Sequence, residues 1–376
     1  MVGNISPFKF GQIVEGKAFT NRVKEMQFFE NNLLSGNHIV LISPRRYGKT
    51  SLVQEFMSKT SNDSSLIHCS IDLFSIRTEE EFYESLASEL IKSSSNKVEE
   101  WIQSGKELFK HLIPRISIGT DTLNDFSISF DIREIIKHKE EIVNLAEKIA
   151  IKKKKRVILY LDEFQNIQSF KNSLDLQKLL RSMWQKHKNV SYCIYGSKRH
   201  MMQELFDQPE CPFYKFGSIY FLERIDTKNW VDFIVKGFSK TNKVINNKEA
   251  EFIAELMKNH PHYVQQLAHF AWSYTENVCT RDVILYAHDF MLKSNSPLFI
   301  KMIEELSATQ INLLKAVFNE EKHFTAKNVM HDYNLGTPRN VQKNRFILER
   351  KDLIDKVSGK YQFIDPLFET WFKGYV

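Results

Sequence analysis

The sequence has little cysteine. Its four, Cys69, Cys193, Cys211 and Cys279, lie far apart with no CxxC pair among them, which argues against both a zinc site and a disulfide framework and fits a reducing compartment. Long apolar runs are missing: nothing approaches the roughly 18 consecutive apolar residues of a spanning helix. The opening "MVGNISPFKFGQIVEG" has no basic start followed by an apolar core, so no secretory leader is expected. A cytoplasmic protein with no membrane partner is the reading. Charge of one sign is not dominant either, since 52 Lys+Arg against 46 Asp+Glu leave a net +6. That permits a nucleic-acid or acidic-protein partner without demanding one. Repeats of fixed period are absent, and low complexity is confined to "KSSSNK" (92–97) and "KKKKR" (152–156), the latter read as a solvated turn before a strand.

What is present is a chain of 376 residues with 42% hydrophobic content, enough for more than one core. Five short apolar runs read as buried strands: "HIVLIS" (38–43), "LIHCSIDL" (66–73), "RVILYLD" (156–162), "VSYCIYG" (190–196) and "SIYFLERI" (218–225). Helical patterns such as "SLVQEFMSKT" and "LDLQKLLRSMWQKH" separate the first four. Strands alternating with helices predict an α/β fold with a parallel sheet covered on both faces. The span 74–150 is too long for one crossover helix and must contain an insertion, in which "RISIG" and "DFSISFDI" flank the turn-like "TDTLND" as a hairpin. Amphipathic helices follow residue 225. From about 301 the layout is three helices and then "LIDKVSGKYQFI", two short strands hinged on Ser358-Gly359-Lys360, the order of a winged helix-turn-helix. The expected domains are 1–225, a sheet core; 226–300, a helical lid; and 301–376, the winged helix.

The chemistry starts at "LISPRRYGKTS" (41–51). A strand running through a glycine-containing loop into a helix aims backbone N–H groups and the positive end of the helix dipole at one spot, which suits phosphate. Ser43, Gly48, Lys49 and Thr50 stand at the spacing of G-x-x-x-x-G-K-[ST], with serine in place of the first glycine. The loop Ser43, Pro44, Arg45, Arg46, Tyr47, Gly48, Lys49, Thr50 and Ser51 would hold a nucleoside triphosphate. Lys49 would reach the β and γ oxygens and Thr50 would contribute its hydroxyl to Mg²⁺. An acid at the end of a neighbouring strand should complete the site, and "RVILYLDEF" supplies two: Asp162 to hold Mg²⁺ and Glu163 to polarise the attacking water. At the end of the next strand, Ser197 could sense the γ-phosphate or orient that water.

With these motifs in place, the chain resembles a known family. "FTNRVKE" (19–25), "SPRRYGKTSLV", "LYLDEFQ", "IYGS", "PFYKFG" (212–217), "HPHYVQQLAH" (260–269) and "YQFIDPLFETWF" together look like the archaeal ATPase domain family of AAA+ type P-loop ATPases. That family is similar to origin-recognition initiators and STAND signalling ATPases. The resemblance implies an ATP- and Mg²⁺-dependent ATPase core, a helical lid and a winged helix. It further implies that Asn21 and Arg22 pack near the adenine, that Pro261 is the lid proline closing over the base, and that Lys215 stands where relatives place an arginine acting on a neighbour's γ-phosphate in a homo-oligomer. Lysine lacks the planar fork of arginine.

The remaining clusters read as packing. His260, His262 and His269 have no acidic partner at metal spacing, and Trp272, Phe290, Trp371 and Phe372 sit at helical spacing among apolar neighbours. The third winged helix carries Arg339, Asn340, Gln342, Lys343, Asn344 and Arg345, types that read bases and grip phosphates, with Arg339, Lys343 and Arg345 the expected DNA contacts. Yet residues 301–376 hold twelve Lys+Arg against ten acids, so duplex DNA and a protein both stay open as the partner. The expected function is an ATP-hydrolysing switch in which nucleotide at the core and lid sets the winged helix. The alternative is a nucleotide-gated DNA- or protein-binding module with little turnover. A plain transcription factor leaves the first 225 residues unexplained.

Overall fold

The structure is a computed structural model that describes residues 5–95, 107–109, 111, 115–117, 127–357 and 359–375. It divides into two compact units, one formed by Arg22–Ser43 and Lys49–Leu222, the other by Met1–Asn21, Pro44–Gly48 and Glu223–Val376. Each has its own apolar core.

The first unit is built on β1 (Ile39–Ile42), β2 (Leu66–Asp72), β3 (Arg115–Ser117), β4 (Ser127–Ser129), β5 (Arg156–Asp162), β6 (Val190–Gly196) and β7 (Ser218–Phe221). Five of them form one sheet in the order β2-β5-β6-β1-β7, and every pairing in it is parallel. These are the five runs that the sequence marks as strands. The four residues of β1 and the seven of β6 are buried throughout. This follows from helices covering both faces, and it is why these strands read as continuous apolar runs instead of alternating ones. The helices are α1 (Val23–Leu33), α2 (Lys49–Thr60), α3 (Glu79–Ser94), α4 (Ile132–Val143), α5 (Leu145–Lys153), α6 (Ser173–Trp184) and α7 (Arg199–Asp207). The expected hairpin is present as the antiparallel pair β3–β4; its "TDTLND" turn lies outside the described residues. It is tied to α3, where the Ile128 amide donates to Ser88 Oγ at 2.8 Å and the Phe130 amide to Glu84 Oε1 at 3.2 Å.

Register places the functional ends. Ile42 pairs with Gly196, and Asp72 with Asp162, so Ser43, Ser197 and Asp162 all leave the carboxyl edge of the sheet, where open α/β folds bind ligands.

The second unit is helical: α8 (Thr227–Ser239), α9 (Asn247–Leu256), α10 (Pro261–Tyr274), α11 (Arg281–Glu304), α12 (Ala308–Phe318), α13 (Lys327–Asp332), α14 (Pro338–Arg350), the hairpin β8 (Ile354–Val357) and β9 (Lys360–Phe363), and α15 (Pro366–Tyr375). Local signals set the ends. Ser307 and Gln310 form a capping box on α12, and Thr337 caps α14 with Pro338 in its first turn. Three helices and a hairpin make the winged helix as expected. The position proposed as the boundary between lid and winged helix, 300/301, falls inside the 24-residue α11. Trp272 and Phe372 are buried as expected. Phe290 departs from that expectation: it is 40% exposed, its ring lying against Phe270 and Tyr274 at the surface.

Candidate nucleotide site

In the sheet unit, α2 begins at Lys49, whose side chain is only 6% exposed. Thr50 follows and donates its hydroxyl to Asp162 Oδ2 at 3.2 Å. Asp162 ends β5, and its Oδ1 accepts the Glu163 amide at 2.8 Å. Burial pushes the Asp162 carboxyl up to about 6, although the Lys49 ammonium pulls it down. A hydroxyl and a carboxylate in hydrogen-bond contact, with burial working against the carboxylate's charge, are hard oxygen donors that a divalent cation would compensate. These residues fit Mg²⁺.

Glu163 stands just past β5 with φ +49. Its Oε2 accepts the Ser197 hydroxyl at 2.7 Å, the Ser197 amide at 3.2 Å and the Gln165 side-chain amide. Burial alone would raise this carboxyl, but Lys49 and the hydrogen bonds from Gln165 and Ser197 outweigh it and hold the group below its ordinary value. Glu163 is therefore an ionised carboxylate fixed in place. Ser197, expected to sense the γ-phosphate or orient the attacking water, donates to Glu163 through both its hydroxyl and its amide. Gln165 was not singled out from the sequence. Its signal was Gly196: a Cβ there would meet Gln165 Oε1 at 2.1 Å and Met202 Sδ at 2.7 Å, so a glycine makes room for the amide that holds Glu163.

The loop itself shows why serine serves at its start. Ser43 has a negative φ, whereas Arg46 and Gly48 carry φ of +65 and +88; glycine is required only at the later turn. A Cβ on Gly48 would meet nothing within 4 Å, so conformation and not space selects it.

Residues 44–48 group with the helical unit, and their side chains explain this. Arg46 Nη1 donates to Tyr263 Oη at 3.3 Å, and Arg224 Nε donates to Tyr47 Oη at 3.0 Å. The Tyr47 ring meets buried His260 edge-on, 4.9 Å between centroids. Pro261 opens α10 and is buried. His262 and His269 pack on Phe10, as the packing reading expected. Among the described residues, the one group of His, Cys, Asp and Glu at metal-ligand distances lies elsewhere: His111, His138 and Glu141.

Asn21, with φ +35, lines a cleft of about 320 Å³ together with Pro7, Phe233 and Lys236. Arg22 is buried in the sheet unit and paired with Glu25 at 2.8 Å. Lys215 is exposed with φ +52. On α14, Arg339 and Lys343 are exposed one turn apart. Arg345 is not on that face: it is half-buried, with its guanidinium 5.6 Å from the centre of the Tyr361 ring. Asn344 is buried, its amide donating to Thr309 Oγ1 at 3.0 Å. Helical periodicity separates residues two apart in sequence from their neighbours' face.

Comparison with known proteins places the fold. The model of the ATPase domain predominantly from Archaea matches residues 19–285, and a second, described as "Probable winged helix domain", matches 297–374. The chain belongs to the archaeal ATPase domain family: a P-loop ATPase fold with a C-terminal winged helix. Among solved structures it is similar to the Walker-type ATPase PABY2304 of Pyrococcus abyssi, at 18% identity and TM-score 0.70, covering 98% of this chain and 99% of that one. It is also similar to the ORC2 protein of Aeropyrum pernix in ADPNP–ADP complexes, at 11% identity and TM-score 0.53, covering 94% and 93%. No curated protein matches the sequence.

Proposed function

We propose that this chain is an Mg²⁺-dependent ATPase whose nucleotide state governs a partner-binding winged helix. The observation that supports it best is the fixed, ionised Glu163, the residue directly after Asp162 at the end of β5, beside the Lys49–Thr50–Asp162 group. Thr50 and Asp162 would hold the metal, which supplies charge neutralisation to the phosphates. Lys49 faces the β and γ oxygens and stabilises charge that grows on them. Glu163 accepts a proton from the attacking water, and Ser197 and Gln165 keep its carboxylate aimed. The ADPNP–ADP complexes in the name of the Aeropyrum relative are in keeping with an adenine nucleotide.

The winged helix would meet its partner through Arg339 and Lys343, and duplex DNA is the partner these exposed cations suit. An assembly in which Lys215 reaches a neighbour's γ-phosphate belongs to the same reading, and Lys215 is exposed as that requires.

One observation favours the low-turnover alternative. Three donors converge on a single oxygen of Glu163, and a carboxylate so occupied is a weaker base toward water. The experiment is steady-state ATPase rate for Glu163→Gln beside equilibrium ATP affinity. We expect binding to persist and turnover to fall by about 10² to 10⁴. Equal turnover in variant and parent would remove Glu163 as the base and leave the low-turnover module standing.

A further inference from the structure

The phosphate loop carries two adjacent arginines, and both lead to acids of the winged helix within one compact unit. Arg45 Nε lies 3.7 Å from Asp352 Oδ2. Arg46 Nη1 donates to Tyr263 Oη at 3.3 Å, and Tyr263 in turn donates its hydroxyl to Asp365 Oδ2. The other oxygen of Asp365 accepts the amides of Leu367 at 2.9 Å and Phe368 at 3.0 Å, which caps α15. Asp352 occupies the turn ahead of β8 with φ +56. The two acids thus stand at the two ends of the β8–β9 hairpin, Asp352 facing Arg45 directly and Asp365 linked to Arg46 through Tyr263.

The arginines are the exposed partners, while Tyr263 is buried and Asp365 half-buried. A guanidinium stays charged and binds phosphate oxygens through charge-assisted bonds about twice as strong as a bond to a neutral hydroxyl. Phosphates at this loop therefore compete for Arg46 against a phenol, and for Arg45 against a carboxylate 3.7 Å away whose partner is 57% exposed to solvent, a weak pair. The loss is felt at Asp365. A carboxylate partly withdrawn from water is tolerable through its hydrogen bonds and nearby positive charge, and removing the cation leaves it less well compensated.

We propose that Arg45 and Arg46 are a latch released by nucleotide. Without nucleotide they hold Asp352 and, through Tyr263, Asp365; a triphosphate at the loop draws both away and loosens the hairpin and α15. Tyr263 and Asp365 are positioning residues of this latch. The inference rests on the loop being a nucleotide's phosphate site, as proposed above, and adds how that site would reach the winged helix.

The test is amide hydrogen exchange of the full-length protein, read on peptides covering 351–370, without nucleotide and with a saturating non-hydrolysable ATP analogue plus Mg²⁺. Exchange reports local opening free energy. In the parent, the analogue should speed exchange at Leu367 and Phe368 by about tenfold or more, the scale of one charge-assisted bond. In Tyr263→Phe, which keeps the ring and removes the hydroxyl, these amides should exchange fast already and ignore the analogue, while analogue affinity rises above the parent's, because the nucleotide no longer has a latch to break. If Tyr263→Phe does not fold, Asp365→Asn, which keeps the cap acceptor, should also lose the nucleotide response. A response of equal size in parent and variant overturns the latch, as does a parent that binds the analogue with no change in exchange. A parent that binds no analogue overturns the phosphate-site assignment itself, and the latch with it.

Discussion

Lys49 is the residue on which the candidate chemistry turns. It is the first residue of α2, almost fully buried, and it acts on both Asp162 and Glu163. A cation at this place has one further use, the oxygens of a phosphate chain brought to the helix N-terminus. Lys49→Ala should therefore weaken Mg·ATP binding by at least about tenfold, the scale of losing a charged hydrogen-bonding partner. A fluorescent ATP analogue titrated against parent and variant measures it, and unchanged affinity would show the loop to be wrongly assigned. That Lys49, Thr50, Asp162 and Glu163 come together was legible in the sequence, because motif spacing and strand ends place them. Gln165 and Ser197 as holders of Glu163 were not, since the register that brings β6 against the end of β5 is a property of the sheet.

At the scale of elements, α14 decides how the winged helix meets a partner. The sequence offers Arg339, Lys343 and Arg345 as one set, and helical geometry splits it. Arg339 and Lys343, four apart, share an exposed face with Gln342, while Val341, Asn344 and Leu348 turn inward. Arg345 lies beside Tyr361. If α14 grips duplex DNA, each lost phosphate contact lowers the log–log salt slope of affinity by about 0.9. The double change Arg339→Ala with Lys343→Ala should flatten that slope by about two units. Arg345→Ala should leave the slope alone and instead disturb the contact with the wing. Duplex titrations at several salt concentrations measure it, and a protein dock would give no salt-steep duplex binding in any of these proteins.

For the molecule as a whole, buried and half-buried histidines shape the response to acid. Burial, with help from Arg181 and His187, pushes His38 down to about 4. Burial likewise pushes down His260, and His262 to about 4, each with nearby arginine charge adding to it. Each is neutral in the folded state and protonates near its ordinary value of about 6.5 when unfolded. The stability they contribute is therefore complete above pH 6.5 and is lost as pH falls toward 4, because the unfolded chain then binds more protons. Urea midpoints should fall between pH 7 and pH 5. His38→Phe, which keeps a ring against Phe216, should make that fall shallower, whatever absolute cost follows from depriving the Tyr192 amide of its acceptor. An identical slope in parent and variant would show that His38 does not titrate on unfolding.

The sequence by itself determined the five strands, the phosphate loop, the acid pair at the end of β5 and the order of the winged helix. All of these follow from local pattern: apolar runs, glycine in the loop between strand and helix, helical periodicity, and motif spacing along a continuous chain. Tertiary structure alone decided which side chains hold those groups. Arg46 finds Tyr263 and Tyr263 finds Asp365 across sequence separations of 217 and 102 residues, and no local period reports such a meeting. It is set by how α10, the hairpin and α15 pack into one core, which brings together polar groups that the chain must satisfy once they are buried.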